Sequence, residues 1–339
     1  MVQFLDVPAV ARLVARIGPV PFLAGLVEYL EQDFRRWTQF EKSARVASHS
    51  PNGVIELMPT ADATLYAFKY VNGHPGNAAA GKLTVTGLGV LADVATGYPL
   101  LVSEMTVATA LRTAATSALA GKWLARSDAT TMALIGLGAQ AEFQALAFAA
   151  ATKVRTIRAF DINPAALAKV TRNLAAYDLI IVAATSVDDA VNGADIITTA
   201  TAAKKRAAVL SAAQVRPGVH LNAIGGDCPG KTELERAVIA HAKMFVEFEP
   251  QTRIEGELQQ MPADYVATEL WRVITGVSPG RTSADDITLF DSVGFAIEDF
   301  SMLRYLYDVI QRDGGGIGID LVPALADPTD LFGVVRAVS

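Results

Sequence analysis

The chain is poor in the residues that build covalent or metal-bound scaffolds. It has one cysteine, Cys228, in 339 residues. That excludes an intramolecular disulfide framework and a cysteine-based zinc knuckle. Only four histidines are present, His49, His74, His220 and His241, and none falls in a HExxH or HxxxH pattern, so the sequence offers no metal centre. An excess of basic charge is also missing. The 29 Lys and Arg against 35 Asp and Glu give a net charge of −6, which leaves no global field for nucleic acid or an anionic membrane. No stretch reaches the roughly 18 charge-free apolar residues that span a bilayer. Met1–Pro8 lacks the basic and apolar regions of a signal peptide, so the expectation is a cytoplasmic protein without a membrane partner.

Apolar material is plentiful: hydrophobic residues make up 51% and charged residues 19% of the chain. That suffices for a large core and excludes a mostly disordered chain. The length favours two domains over one.

Periodicity divides the chain into two textures. In the first, residues 20–38 carry a helical apolar stripe that includes Phe22, Leu26, Leu30 and Phe34. Short β-like runs follow at 54–58, 65–71, 83–92 and 98–103. The last two are joined by Asp93-Val-Ala-Thr-Gly97, a turn suited to a hairpin. Strands in succession predict an antiparallel sheet. An alanine-rich helix is predicted over 107–125. From Met132 onward, apolar strands alternate with helices. The strands fall at 132–135, 156–160, 180–183, 194–199, 220–224, 244–247 and 287–290; helices start at Ala141 and Pro164. This alternation predicts a doubly wound parallel sheet of Rossmann type beside an α+β domain. The tail after Asp313-Gly-Gly-Gly316 is expected to fold back on the first domain.

Met132-Ala-Leu-Ile-Gly136-Leu-Gly138-Ala139-Gln140-Ala141 reads as a strand, a Gly-x-Gly-x-x-Ala turn and a helix start. Gly136 permits the tight turn, Gly138 lets the backbone approach a pyrophosphate, and Ala141 allows close packing of helix on strand. Asp161 ends the next predicted strand, 23 residues beyond Gly138, where a carboxylate binds adenosine ribose hydroxyls. It would repel a 2′-phosphate, so NAD is expected rather than NADP. Later strands end in Thr199-Ala-Thr201 and Asn222-Ala-Ile224-Gly225-Gly226-Asp227. The glycine pair would let the chain run close to a cofactor, with Asp227 near the nicotinamide. The competing reading makes Asp227 a helix cap with Lys231 as its partner.

Arg45, Glu56, Lys69 and Arg112 all lie in otherwise apolar segments of the first domain. Buried charges require partners, so such residues tend to meet one another or a charged ligand. Arginine is suited to gripping a carboxylate through two parallel hydrogen bonds. Spacing alone does not bring these four together, and a solvent-facing strand position remains open for each.

Several segments resemble the ornithine cyclodeaminase/mu-crystallin family. They are Ser43–Ser50, Tyr66–Pro75, Ala110–Ala115, Gly136–Gln140, His220–Leu234 and Phe290–Ala296. Gly225-Gly-Asp-Cys-Pro-Gly-Lys-Thr-Glu-Leu234 and Glu249–Gly256 are similar to its cyclodeaminase branch. The resemblance implies an NAD-dependent conversion of L-ornithine to L-proline and ammonia, in a homodimer. It also implies a substrate and dimerisation domain over 1–113, completed by 303–339, and a Rossmann domain over 114–302. Carried over by position, Arg45, Lys69 and Arg112 would bind the substrate carboxylate, Glu56 a substrate amino group, and Asp227 would be the catalytic acid/base. Thr84, Arg112, Ala139, Gln140, Asp161, Thr201, Ile224–Asp227, Lys231 and Ser292 would line the NAD site, and Val293 would touch substrate. One departure stands out: Leu137 occupies a position where the family pattern has asparagine. As a side chain expected on the turn's periphery, it should matter little. An amino-acid dehydrogenase, a ketimine or pyrroline-2-carboxylate reductase, a lysine cyclodeaminase and a non-catalytic ligand-binding protein remain alternatives.

Overall fold

The structure, a computed structural model, describes residues 1–201, 208–226 and 228–336. Its strands are β1 (Val2–Leu5), β2 (Val46–Ser50), β3 (Gly53–Ala61), β4 (Leu65–Gly73), β5 (Val85–Asp93), β6 (Pro99–Glu104), β7 (Thr131–Ile135), β8 (Thr156–Phe160), β9 (Ile180–Ala183), β10 (Ile196–Thr199), β11 (His220–Ala223), β12 (Lys243–Val246), β13 (Thr268–Glu269), β14 (Thr288–Asp291) and β15 (Ile317–Ile319). The helices that position the site are α1 (Pro19–Arg35), α2 (Thr106–Leu124), α3 (Ala141–Ala151), α4 (Pro164–Leu174), α5 (Glu249–Glu255) and α6 (Ala296–Asp313).

Two sheets organise the chain. The first has the order β15-β1-β6-β5-β4-β3-β2. Its meander from β2 to β6 is antiparallel, as succession predicts, and its hairpin turn closes with Gly97 at φ +73°. The sheet is nonetheless mixed: β1 runs parallel to β6. A four-residue strand carries too short an alternation to be read, and its neighbour lies about a hundred residues away. The C-terminal β15 then pairs antiparallel with β1.

The register sorts the meander into two faces. Met58, Lys69, Ala67, Leu91 and Leu101 point inward and are buried. Val46, Leu57 and Leu88 share the opposite face with Ile55, and all four are exposed. The inner face is covered by α6, which packs on β3, β4, β5 and β6 and also on α1 and α2.

The second sheet has the order β13-β12-β14-β11-β10-β7-β8-β9, and every pair in it is parallel. Its central strands are buried end to end, as helices on both faces require. Strand order reverses between β7 and β10, which opens a crevice at the carboxyl edge. Helix α4 begins as its sequence indicates, with Pro164 in the first turn and the Asn163 side chain accepting from Ala165 N. Among the described residues no single helix is long and apolar enough to cross a membrane.

Candidate active site

The carboxyl ends of the parallel strands line up in one row. Phe160, Ile135, Thr199, Ala223, Asp291 and Val246 are register partners in turn. Five of the sequence-derived cofactor segments begin within two residues of that row: Gly136 after Ile135, Asp161 after Phe160, Thr201 beyond Thr199, Ile224 after Ala223, and Ser292 after Asp291; Lys231 follows further along the chain after β11, and Arg112 lies on α2. Thr84 is different: it is exposed just before β5 in the first sheet. Asp227 lies outside the described residues.

The turn after β7 fits a dinucleotide. Gly136 has φ +93°, and a Cβ there would lie 2.6 Å from the Ala200 carbonyl oxygen, so glycine is required twice over. A Cβ at Gly138 would meet nothing within 4 Å, which leaves open space beside exposed backbone for a pyrophosphate. Gln140 occupies the N-cap position of α3 without a side-chain capping bond, and its buried Oε1 lacks a hydrogen-bond partner in this structure. Asp161 accepts from Leu137 N at 2.7 Å through Oδ2 and from Asn163 N at 2.8 Å through Oδ1. Its carboxylate thereby faces the turn, where ribose hydroxyls would reach it.

Leu137 is not peripheral. It is 1% exposed and belongs to the main hydrophobic core. Its N–H faces Asp161 while its side chain turns inward, so the expected surface position is corrected. Sequence reading also missed Lys169 on α4. Its Nζ donates to the carbonyls of Leu137 at 3.1 Å and Gly138 at 2.8 Å and pairs with Glu142 at 3.1 Å, clamping the turn.

The candidate substrate residues converge from both sheets. Arg45 Nη1 lies 3.0 Å from Glu56, its Nε lies 3.2 Å from Glu255, and its Nη2 donates to the carbonyls of Val293 and Gly294, each at 2.8 Å. Lys69 is 2.9 Å from Asp299. Arg112, on α2, is 2.5 Å from Glu298 and 3.0 Å from Asp299. Glu247 binds the segment between them, accepting from Ser292 Oγ at 2.6 Å and from Gly294 N at 3.1 Å. Residues 292–299 therefore join Arg45, Lys69 and Arg112 to the edge of the second sheet.

Burial lowers the Lys69 ammonium to about 8, with Arg112 adding repulsion and Asp299 opposing both. Burial likewise pushes the Glu298 carboxyl up to about 8. For Arg112 burial disfavours the charge, but Asp299 and Glu298 outweigh it and hold the guanidinium charged. These acids were not found from sequence. The signal was present: Glu298 and Asp299 interrupt an apolar helix start, the same pattern that marks Arg112.

This geometry defines a two-sheet dinucleotide-binding α/β protein with a polar cluster abutting the nucleotide edge. Residues 8–314 match the ornithine cyclodeaminase/mu-crystallin family, and the chain belongs to that family. It is 57% identical over 335 residues to the ornithine cyclodeaminase of Agrobacterium fabrum, covering 99% of this chain and 95% of that protein. Among solved structures it resembles a lysine cyclodeaminase whose structure describes recognition of L-lysine, L-ornithine and L-2,4-diaminobutyric acid. That likeness has TM-score 0.87, 30% identity, and coverage of 97% of this chain and 98% of the other. An archaeal alanine dehydrogenase dimer with bound NAD gives TM-score 0.86 and 29% identity, over 95% and 99% of the two chains.

Proposed function

We propose that this chain is an NAD-dependent ornithine cyclodeaminase that converts L-ornithine to L-proline and ammonia. The observation that carries this reading is the bond from Arg45 to the Val293 and Gly294 carbonyls, directly beyond the end of β14. It sets Arg45, with the buried Lys69 and Arg112, against the edge where a nicotinamide would lie. Three basic side chains suit an α-carboxylate. Glu56, paired to Arg45, suits the distal ammonium of a diamino acid.

NAD, when bound along Gly136–Gln140 and Asp161, supplies a hydride acceptor and donor, so the overall reaction is redox-neutral. The chain's own residues do the rest. Arg45, Lys69 and Arg112 fix the carboxylate and so the direction of the Cα–H bond. Glu56 steers the δ-amine back toward Cα, which turns cyclisation into a positioned intramolecular step. Asp227, following the Gly225–Gly226 turn, moves protons among the amines; general acid–base catalysis of this kind contributes about 10²–10⁴-fold. Thr201, Ile224–Gly226, Lys231 and Ser292 complete the cofactor wall, and Val293 touches substrate.

Two copies of the chain pair through the outer face of the first sheet. Support comes from its exposed apolar row, with Val46 at 64% and Leu57 at 44% exposure. The protein is placed in the cytoplasm. The deciding experiment incubates purified protein with L-ornithine and trace NAD, then quantifies proline. Stoichiometric NADH without proline would instead identify a net dehydrogenase.

A further inference from the structure

Behind the Gly225–Gly226 turn lie three carboxyl groups that no exchange with substrate explains. Asp291, Glu257 and Glu233 are each 0% exposed. They are linked in sequence by backbone donors. Asp291, at the end of β14, accepts from Glu257 N at 2.9 Å and Leu258 N at 2.8 Å. Glu257 accepts from Glu233 N at 2.6 Å and Leu234 N at 3.2 Å. Glu233 accepts from Thr201 N at 2.7 Å and also from the Thr201 hydroxyl. Each carboxyl thus holds the main chain of the residue that carries the next, and the last holds the chain just beyond β10.

Each carboxyl also fills a space left by a glycine. A Cβ at Gly225 would overlap the Glu233 carboxyl group. One at Gly226 would lie 2.8 Å from Glu257 Oε1, and one at Gly256 would lie 2.5 Å from Asp291 Oδ2. None of the three glycines has a positive φ, so space rather than backbone freedom requires them. The space that an added Cβ would take at Gly225 and Gly226 is filled by Glu233 and Glu257.

We infer that Glu233, Glu257 and Asp291 are positioning residues: together they fix the Gly225–Gly226 turn and Thr201 relative to the end of β14. The functional consequence rests on the proposed roles of Asp227 and Thr201, since the turn leads directly into Asp227. Burial raises all three carboxyls above their ordinary values, with Glu257 pushed up to about 7 and Asp291 held well above the usual carboxylate range. A ladder that is partly protonated tolerates an isosteric amide. A missing side chain it does not tolerate, because the Thr201 and Glu233 N–H groups then lose their acceptors in a dry site.

The test compares Glu233→Gln, Glu233→Ala, Gly225→Ala and the Gly225→Ala/Glu233→Ala double variant in the full-length protein. Expected for Glu233→Ala and Gly225→Ala is a fall in kcat of about 100-fold, the scale of an ångström misplacement. The ornithine KM should change less than about threefold, since Arg45, Lys69 and Arg112 are untouched. Glu233→Gln should restore kcat to within about fivefold of the parent. The double variant should be no worse than either single, because the new Cβ enters the space the carboxyl left. Hydrogen exchange provides a readout without turnover: peptides spanning Ile196–Thr201 and Leu221–Gly226 should exchange faster in Glu233→Ala and at the parent rate in Glu233→Gln. Failure of the parent to form proline overturns the proposed reaction and leaves this exchange result standing. Equal damage from Gln and Ala, multiplying losses in the double variant, or unchanged exchange would overturn the positioning role. If Glu233→Ala does not fold, Gly225→Ala against Glu233→Gln decides by the same kcat and exchange criteria.

Discussion

Lys69 and Arg112 reach Asp299 from two different elements, β4 and α2, and sit 2.9 and 3.0 Å from its carboxylate. A substrate carboxylate bound there, as proposed, would compete with Asp299 for the same donors. The cations are thus oriented before substrate binds, and neither is left buried without a counter-charge. Asp299 and its neighbour Glu298 hold the cluster on the first turn of α6, so the helix that covers the first sheet also shapes the polar cluster at the edge of the second.

Arg112→Ala is therefore expected to act on stability as well as binding. It strips Glu298 and Asp299 of a buried partner, and losses of about 3–5 kcal/mol accompany such a change. Thermal unfolding should show a large fall in Tm, partly recovered in Arg112→Ala/Glu298→Gln. Arg45 is less enclosed and partners Glu56 and Glu255 at 3.0 and 3.2 Å. Arg45→Ala should chiefly raise the ornithine KM, by a factor consistent with about 2–5 kcal/mol for one partner of a buried charge pair. Unchanged Tm in the first and unchanged KM in the second would remove both residues from the clamp.

Cofactor choice is expected to follow Asp161. Its carboxylate is held toward the turn by Leu137 N and Asn163 N, so a 2′-phosphate would meet fixed negative charge. Binding titrations should favour NAD over NADP, and Asp161→Ser should narrow the gap. Equal affinities in the parent would exclude the assignment.

Stability should fall as pH rises through neutrality. Glu257 has its carboxyl raised from 4.5 to about 7 by burial, with Glu233 adding repulsion against two backbone donors. A raised carboxyl contributes its full stability below the unfolded value and loses it as pH passes the folded value. The interval between 4.5 and about 7 sets an upper bound of about 3 kcal/mol. Glu298, raised to about 8, acts in the same direction at higher pH. Differential scanning between pH 5 and 8 should show a smaller drop in Tm for Glu257→Gln than for the parent. Parallel curves would mean that Glu257 does not titrate in this range.

The parallel sheet was legible because its buried strands are continuous apolar runs; β8 and β9 match their sequence-read bounds at both ends. The dinucleotide turn was legible because its glycines and Asp161 sit at fixed spacing. Four strands escaped. β1 and β15 are short and pair across the chain, β13 has only two residues, and β2 is exposed throughout, so none carries a usable alternation. Long-range pairing hid the rest of the site. Lys69 and Asp299 are separated by 230 residues, and only the packing of α6 on β4 brings them together. Glu233, Glu257 and Asp291 read as ordinary acids in sequence, because what marks them is the glycine each one faces.

The fate of the Cα hydrogen tests the mechanism rather than the site. Gly136–Ala141 and Asp161 follow strand ends at one sheet edge, where the proposed cofactor would lie, and Gly225–Gly226, at the same edge, precedes Asp227 in sequence. A hydrogen passed to NAD as hydride and returned to the same carbon never exchanges with water. L-ornithine deuterated at Cα should therefore give proline still deuterated there, in unlabelled water and with no build-up of NADH. A base such as Asp227 or Lys69 removing the hydrogen as a proton would lose the label to solvent, and mass spectrometry of the proline separates the two outcomes. Asp227→Asn sharpens the test. Asparagine caps a helix about as well as aspartate, so a purely structural Asp227 would tolerate it. An acid/base Asp227 would not, since an amide cannot carry the proton. NAD binding retained with turnover lost by at least about 100-fold, within the usual range for general acid–base catalysis, assigns Asp227 to the chemistry; turnover retained returns it to the role of a cap.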